Sequence, residues 1–292
     1  VGTKGHQSAF NYILQTLQNE NVDGKNLLLV DKFVPDFEKL DLKNFDHKIV
    51  DDLKNFIKMN GAVAGKNIIW EQKGTTNPDD IFIIAANYDS ISIKKGRVAQ
   101  SLEAPGADKN GSGVAALIEL IRALKGKSIP KTIRVVFFDY GEFFDLGAYY
   151  FLKKYQTELE GKRIKALFFF DSIAYDSKTK DRMKKSKNMG IFTSSIKSLS
   201  PLESVMAESL VSYKKDLYSH INFTIYSRDK RAGLTYFREK AVPSILFTHD
   251  QINDLNPFAN KSVDLPETLN FTTYHGSLRF IFGAILLYIS SN

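Results

Sequence analysis

Apolar runs and amphipathic stretches alternate along most of this chain. "DIFIIAANYDS" (80–90) is almost continuously apolar before it ends in polar residues, the pattern of a strand covered on both faces. "NLLLV", "NIIWEQK" (67–73), "KTIRVVFFD", "IKALFFFDS", "NFTIYS" (222–227) and "PSILFTHD" (243–250) also read as strands. Between them, "SAFNYILQTLQNE" (8–20), "VAALIELIRALKG" (114–126), "FDLGAYYFLKKY", "LTYFREKA" and a segment within 267–290 carry apolar residues at helical spacing. This alternation predicts an α/β fold: a mixed, mainly parallel sheet with helices on both faces, in a three-layer α/β/α arrangement. One domain spanning 1–292 is the simplest organisation, with the charged stretch 35–60 as a candidate lobe or insertion.

Composition narrows the chemistry. There are no cysteines, so disulfides, thiolate metal sites and a cysteine nucleophile are excluded together. The net charge of +7 comes from 40 Lys and Arg against 33 Asp and Glu, an excess that favours solubility more than nucleic-acid binding. The densest basic run, "KTKDRMKKSK" (178–187), lacks interleaved aromatics and reads as a solvated loop. "FIFGAILLYI" (280–289) is well short of the roughly 18 residues of a membrane span. Neither a nucleic-acid partner nor a membrane span is therefore expected.

The polar ends of the strands are the informative feature. Asn87 and Asp89, Asp139 and Glu142, Asp171, and His249 and Asp250 each follow an apolar run, and Asp108 joins them from the loop "APGADKNGSG" (104–113). Ligands in open α/β sheets bind beyond the carboxyl ends of the strands. Converging carboxylates repel one another unless a cation neutralises them, so such a rim implies a metal, a basic group or solvation. Any single acid has a plainer role as a helix cap or a solvated strand end. Ser112, in "NGSG", lacks the frame of a hydrolase elbow and fits the start of a helix.

The segments "KNIIWEQKGTTNPDDIFIIAANYDS", "PGADKNGSGVAALIELIRAL", "TIRVVFFDYGEFFDLGAYYF", "ALFFFDS" and "REKAVPSILF" together resemble the M28 family of zinc aminopeptidases, which includes glutaminyl-cyclase-like enzymes. The resemblance runs from about residue 5 to the C-terminus and implies a zinc-exopeptidase-like fold with two metals at the strand ends. It also implies that Asp108 corresponds to the bridging carboxylate, and Glu142 and Asp171 to further metal ligands. At the other positions the chain departs from the family. Asn87 stands in "NYDS" where the family has histidine, Asn256 aligns with the last histidine, Gly141 replaces the general-base glutamate, and Lys109 follows Asp108 where an acid is usual.

Zinc favours imidazole, thiolate and carboxylate donors, and an amide oxygen is a poor substitute. Loss of a general base typically costs 10²–10⁴-fold in rate. The expectation is a pseudoenzyme with no resident cofactor, in which the Lys109 ammonium balances Asp108, Glu142 and Asp171 and the old cleft receives a peptide or protein ligand. The alternatives are a working metallo-aminopeptidase with zinc in an altered site, and an oxygen-only Ca²⁺ or Mg²⁺ site. His249 is the one histidine at a strand end. His6, His47 and His220 read as surface residues, and His275 as packed or partly exposed. Family analogy places the chain in a secreted or periplasmic setting.

Overall fold

The computed structural model describes residues 1–21, 24–36, 47–60, 63–98, 103–177, 187–193, 212, 221–227 and 232–291. Ten strands are described: β1 (Leu27–Phe33), β2 (Gly65–Gln72), β3 (Asn77–Asn87), β4 (Ile93–Lys94), β5 (Arg97–Val98), β6 (Lys131–Phe138), β7 (Ile164–Phe170), β8 (Met189–Thr193), β9 (Phe223–Ser227) and β10 (Ser244–Thr248). The helices are α1 (Lys4–Glu20), α2 (His47–Asn60), α3 (Gly113–Leu124), α4 (Leu146–Lys154), α5 (Gln156–Glu160), α6 (Ala232–Glu239) and α7 (Phe271–Ser291).

Eight strands form one sheet in the order β1-β2-β6-β3-β7-β10-β8-β9, and β4 pairs with β5 in a separate hairpin. The central strands β6, β3, β7 and β10 run parallel, and β8 pairs parallel with β9. The β1–β2, β2–β6 and β10–β8 ladders are antiparallel. The sheet is therefore mixed with a parallel centre, as the apolar runs predict.

The period-2 geometry of a strand divides those runs between two cores. Ile68, Trp70, Phe82, Ile84, Val135, Phe137 and Phe168 face one side, where they pack with α1, α3 and α7. Ile69, Ile81, Ile83, Val136, Phe138 and Phe169 face the other, with α4 and α6. A third cluster joins Phe33, Val50 of α2, Ile91, Tyr140 and Phe143 beside the C-terminal ends of the central strands. In the 35–60 stretch, residues 47–60 form α2, whereas 37–46 lie outside the described residues.

β8 is absent from the sequence expectation, because "MGIFT" is short and interrupted by a glycine. The basic run 178–187 falls outside the described residues except for Lys187. No described helix is long and apolar enough to cross a membrane.

Because β6, β3, β7 and β10 are neighbours and point the same way, their polar ends share one edge of the sheet. Phe168, fully buried on the central strand β7, is part of the scaffold that holds this edge. Phe168→Ala is expected to lower unfolding free energy by about 3–5 kcal/mol. Urea denaturation followed by the fluorescence of Trp70, the chain's one tryptophan, measures the loss.

Candidate functional site at the strand ends

The loop between β3 and α3 delivers Asp108 and Lys109. It contains a kinked turn over Ala107–Ser112, with non-helical backbone at Lys109 and Asn110, and a cis peptide between those two residues. The Asp264 carboxylate receives the backbone N–H groups of Asp108 (2.9 Å) and Lys109 (3.0 Å), fixing both residues. Burial raises the Asp264 pKa while those two amides oppose the shift. Asn110 ties the loop to the sheet, donating to the carbonyls of Phe170 (2.9 Å) and Asn87 (3.3 Å) and accepting from Ser172 N–H (3.0 Å).

After β6 the chain curls tightly. Tyr140, Phe144 and Asp145 all have left-handed backbones, a conformation that costs energy in non-glycine residues and concentrates at functional sites. Asp89 holds the curl, taking Gly141 N–H at 2.6 Å and Glu142 N–H at 3.1 Å. Glu142 is thereby turned back over the sheet edge.

Lys109 Nζ lies 2.9 Å from Glu142 Oε1 and 2.9 Å from Asp171 Oδ1, with Asp171 Oδ2 at 3.0 Å. The three side chains are 19%, 10% and 9% exposed. Burial alone opposes the ammonium charge, but Asp171 and then Glu142 outweigh it and raise the lysine pKa above its ordinary range.

Asp108 does not share this cation. It is fully buried, and Oδ1 receives Ala174 N–H (2.9 Å) and the Ser112 hydroxyl (3.1 Å), while Oδ2 receives Asn256 Nδ2–H (2.8 Å). The expectation of one lysine balancing three acids is thus corrected to two. Asp108 sits where backbone and amide donors satisfy it locally. Ser112 stands at the start of α3, as expected, and also braces Asp108.

Asn256 and Asn87 both reach this edge. Asn256 Oδ1 accepts Phe258 N–H (2.8 Å), which orients the amide so that its nitrogen faces Asp108. Asn87 Nδ2 donates to Asp145 Oδ1 at 3.3 Å. Burial, only partly offset by the Asn87 hydrogen bond and Lys109, pushes the Asp145 carboxyl up to about 7. At Gly141, an added Cβ would overlap the Cβ, Cγ and Nδ2 atoms of Asn87. The Asn87 side chain fills the volume that a side chain at 141 would need.

His249 lies 3.9 Å from Asp108 Oδ2, beyond hydrogen-bond reach, and its Nδ1 meets the Ser172 carbonyl at 2.7 Å. His6, read from sequence as a surface residue, is instead half-buried and bonded through Nε2 to Asp139 Oδ1 at 2.8 Å. The reason is that α1 packs across the sheet edge, so its first turn lies over the end of β6. His47 and His275 are exposed, and His220 lies outside the described residues.

These donors do not suit a pair of zinc ions. Two amide nitrogens point their hydrogens at Asp108 and Asp145, and an ammonium occupies the gap between Glu142 and Asp171. A carboxamide NH₂ offers no lone pair to a metal, and a cation at the gap repels another. Among the described residues, no three His, Cys, Asp or Glu side chains are grouped to hold a metal ion.

The sequence profile of Peptidase family M28 matches residues 67–277. This chain therefore belongs to Peptidase family M28. Among curated relatives, the probable aminopeptidase YDR415C of Saccharomyces cerevisiae is 34% identical over 85 residues, covering 29% of this chain and 18% of that protein. Aminopeptidase YwaD of Bacillus subtilis is 30% identical over 112 residues, covering 38% of this chain and 22% of that protein. The matches thus span less than two thirds of either relative.

Among solved structures, glutaminyl cyclase from an Acidobacteriales bacterium is similar with a TM-score of 0.68 at 16% identity, over 99% of this chain and 88% of that one. The zinc aminopeptidase BSAP of Bacillus subtilis gives a TM-score of 0.59 at 21% identity, over 76% and 49%. Identities this low establish the shared fold and nothing finer.

Three signals escaped the sequence reading. Asp264 carries no motif and acts from 155 residues beyond Lys109. Asp145, within the helical segment "FDLGAYYFLKKY", gave no sign that it would partner Asn87. Asp89 was visible at its strand end, but not as the clamp on Gly141 and Glu142.

Two predictions follow from the geometry. Lys109→Met leaves Glu142 and Asp171 buried without their cation, and should cost about 3–5 kcal/mol near neutral pH. Chemical denaturation measures the loss, which should shrink as acid protonates the carboxylates. Asp145, with its folded pKa raised, binds more protons folded than unfolded. Its stabilising contribution is complete below the ordinary carboxylate range and disappears as pH rises through about 7. Asp145→Asn should therefore flatten the fall in stability between about pH 4 and 8, read as Tm against pH.

Proposed function

We propose that this M28 chain is a pseudoenzyme that binds a peptide or protein end at its strand-end cleft and neither holds zinc nor hydrolyses its ligand. The observation that carries this reading is the Lys109 ammonium, 2.9 Å from both Glu142 and Asp171. It supplies at that point the positive charge that a metal would bring. Gly141 has no side chain to move a proton, and the space it leaves is taken by Asn87. A hard cation in an oxygen-only site would face the same ammonium.

Among the described residues of this edge the acids Asp108, Asp145, Glu142 and Asp171 outnumber Lys109, which favours a ligand that brings an ammonium. A peptide N-terminus is such a ligand. The competing reading, an aminopeptidase with an altered metal site, draws on the aminopeptidase relatives.

Elemental analysis after incubation with Zn²⁺, with an aminoacyl p-nitroanilide assay in added Zn²⁺ or Co²⁺, separates the two. The expected result is no stoichiometric metal and no turnover above the blank; two bound metals with turnover would overturn the proposal. The combined variant Asn87→His, Gly141→Glu and Asn256→His should remain metal-free while Lys109 stays. Adding Lys109→Asp should restore zinc binding, read by the same elemental analysis. Calorimetry should also show binding of peptides with free N-termini at least tenfold tighter than of their acetylated counterparts.

A further inference from the structure

A cavity of about 1060 Å³ lies between the first half of α1, the β3–α3 segment and α3. It is separate from the strand-end ion pairs, since Lys109, Glu142, Asp171 and Asp108 do not line it. Its apolar wall includes Ala9, Ile13, Val114, Ile118 and Phe143. His6 and Tyr88 add a pair of stacked rings, 5.3 Å apart and 9° from parallel. The volume suits a small organic molecule.

Several polar groups of the inner wall have their hydrogens already committed. Asp139 is fully buried and accepts Tyr140 N–H (2.8 Å) and Lys66 N–H (2.9 Å), so it is an acceptor and takes the Nε2–H of His6 at 2.8 Å. His6 Nδ1 has no hydrogen bond among the described residues.

The Tyr88 hydroxyl donates to Lys66 O (2.9 Å), Ser90 to Ala104 O (2.6 Å) and Ser92 to Glu103 O (2.5 Å). Each of these oxygens retains acceptor capacity. Asp89, 1% exposed, is held by two backbone amides, and besides these the Val1 amino group, which also lines the cavity, offsets part of its charge through space. Asn110 also lines the cavity, but both of its amide hydrogens go to main-chain carbonyls. The side-chain cations that reach the cavity, Lys4 and Arg122, are solvent-exposed, and Arg122 is paired with Glu20 and Glu119.

An interior of acceptors, one buried carboxylate and aromatic faces is complementary to a hydrogen-bond-donating cation on an apolar body. We infer that this cavity is a second ligand site, for a small apolar amine bound as its ammonium form. The ammonium meets Asp89 and the acceptors around it, while the hydrocarbon packs between α1 and α3. The site does not depend on whether the strand-end cleft is catalytic.

Calorimetric titration at neutral pH with 2-phenylethylamine, 2-phenylethanol and 3-phenylpropionate tests the assignment. The amine should bind at least tenfold more tightly than the alcohol, and the carboxylate should not bind detectably. Val114→Trp, and independently Ala9→Phe, should fill the cavity and weaken the amine at least tenfold in protein shown by circular dichroism to be folded.

Lys109→Met, at a residue that does not line the cavity, should leave amine affinity within about twofold. Equal binding of amine and carboxylate, or no binding of either, overturns the inference. So does amine binding that survives both filling variants or is abolished by Lys109→Met. Loss of binding in Lys109→Met alone would assign the amine to the strand-end cleft instead, a result that leaves the proposal for that cleft intact.

Discussion

The ammonium of Lys109 must stay 2.9 Å from both Glu142 and Asp171 while largely withdrawn from water. Removing an ion from solvent costs several kcal/mol unless fixed partners return it. Much of the strand-end structure serves to fix those partners. Asp264 holds the backbone of Asp108 and Lys109, Asn110 ties their loop to β3 and β7, and Asp89 clamps the curl that carries Glu142. Each clamp is a carboxylate or amide bonded to main-chain groups, so side-chain freedom adds little slack. The charge pair is therefore positioned by backbone geometry.

The cluster explains how this M28 scaffold accommodates its own acids. Four parallel strand ends place carboxylates at one edge, where mutual repulsion raises their proton affinity. Asp89, pushed up to about 6 chiefly by burial and then by Asp139 and Glu142, records the residual stress. Asp108 is met by three hydrogen-bond donors, and Asp139 by His6 and two amides. One edge thus uses three remedies for crowded acids: an ammonium, neutral donors and an imidazole.

The fold was legible because strands buried on both faces are nearly continuous apolar runs, as in β3, β6 and β7, and those runs are long. β8 was not, because five residues with an internal glycine carry too little pattern. The site was legible in identity and in part of its pairing. Lys109 was expected to balance Asp108, Glu142 and Asp171; it reaches Glu142 and Asp171, the latter 62 residues away, but not Asp108, its neighbour in sequence. Adjacent residues on a kinked turn point in different directions, and no local signal encodes that kink. His6 was misread for a similar reason: nothing in an amphipathic pattern says that the first turn of α1 lies on the end of β6.

The interlock of Gly141 with Asn87 bears on how this chain can change. The Asn87 side chain stands in the volume belonging to residue 141, and even its Cβ would meet a Cβ placed there. Rotating Asn87 does not clear the space, so the 140–142 turn must move as well. That turn is held by Asp89 and by left-handed residues on either side. A side chain placed at 141 by itself therefore costs stability, because both Asn87 and the turn must give way. Positions 87 and 141 are therefore tied to one another, and neither can take a new shape without the turn that Asp89 holds.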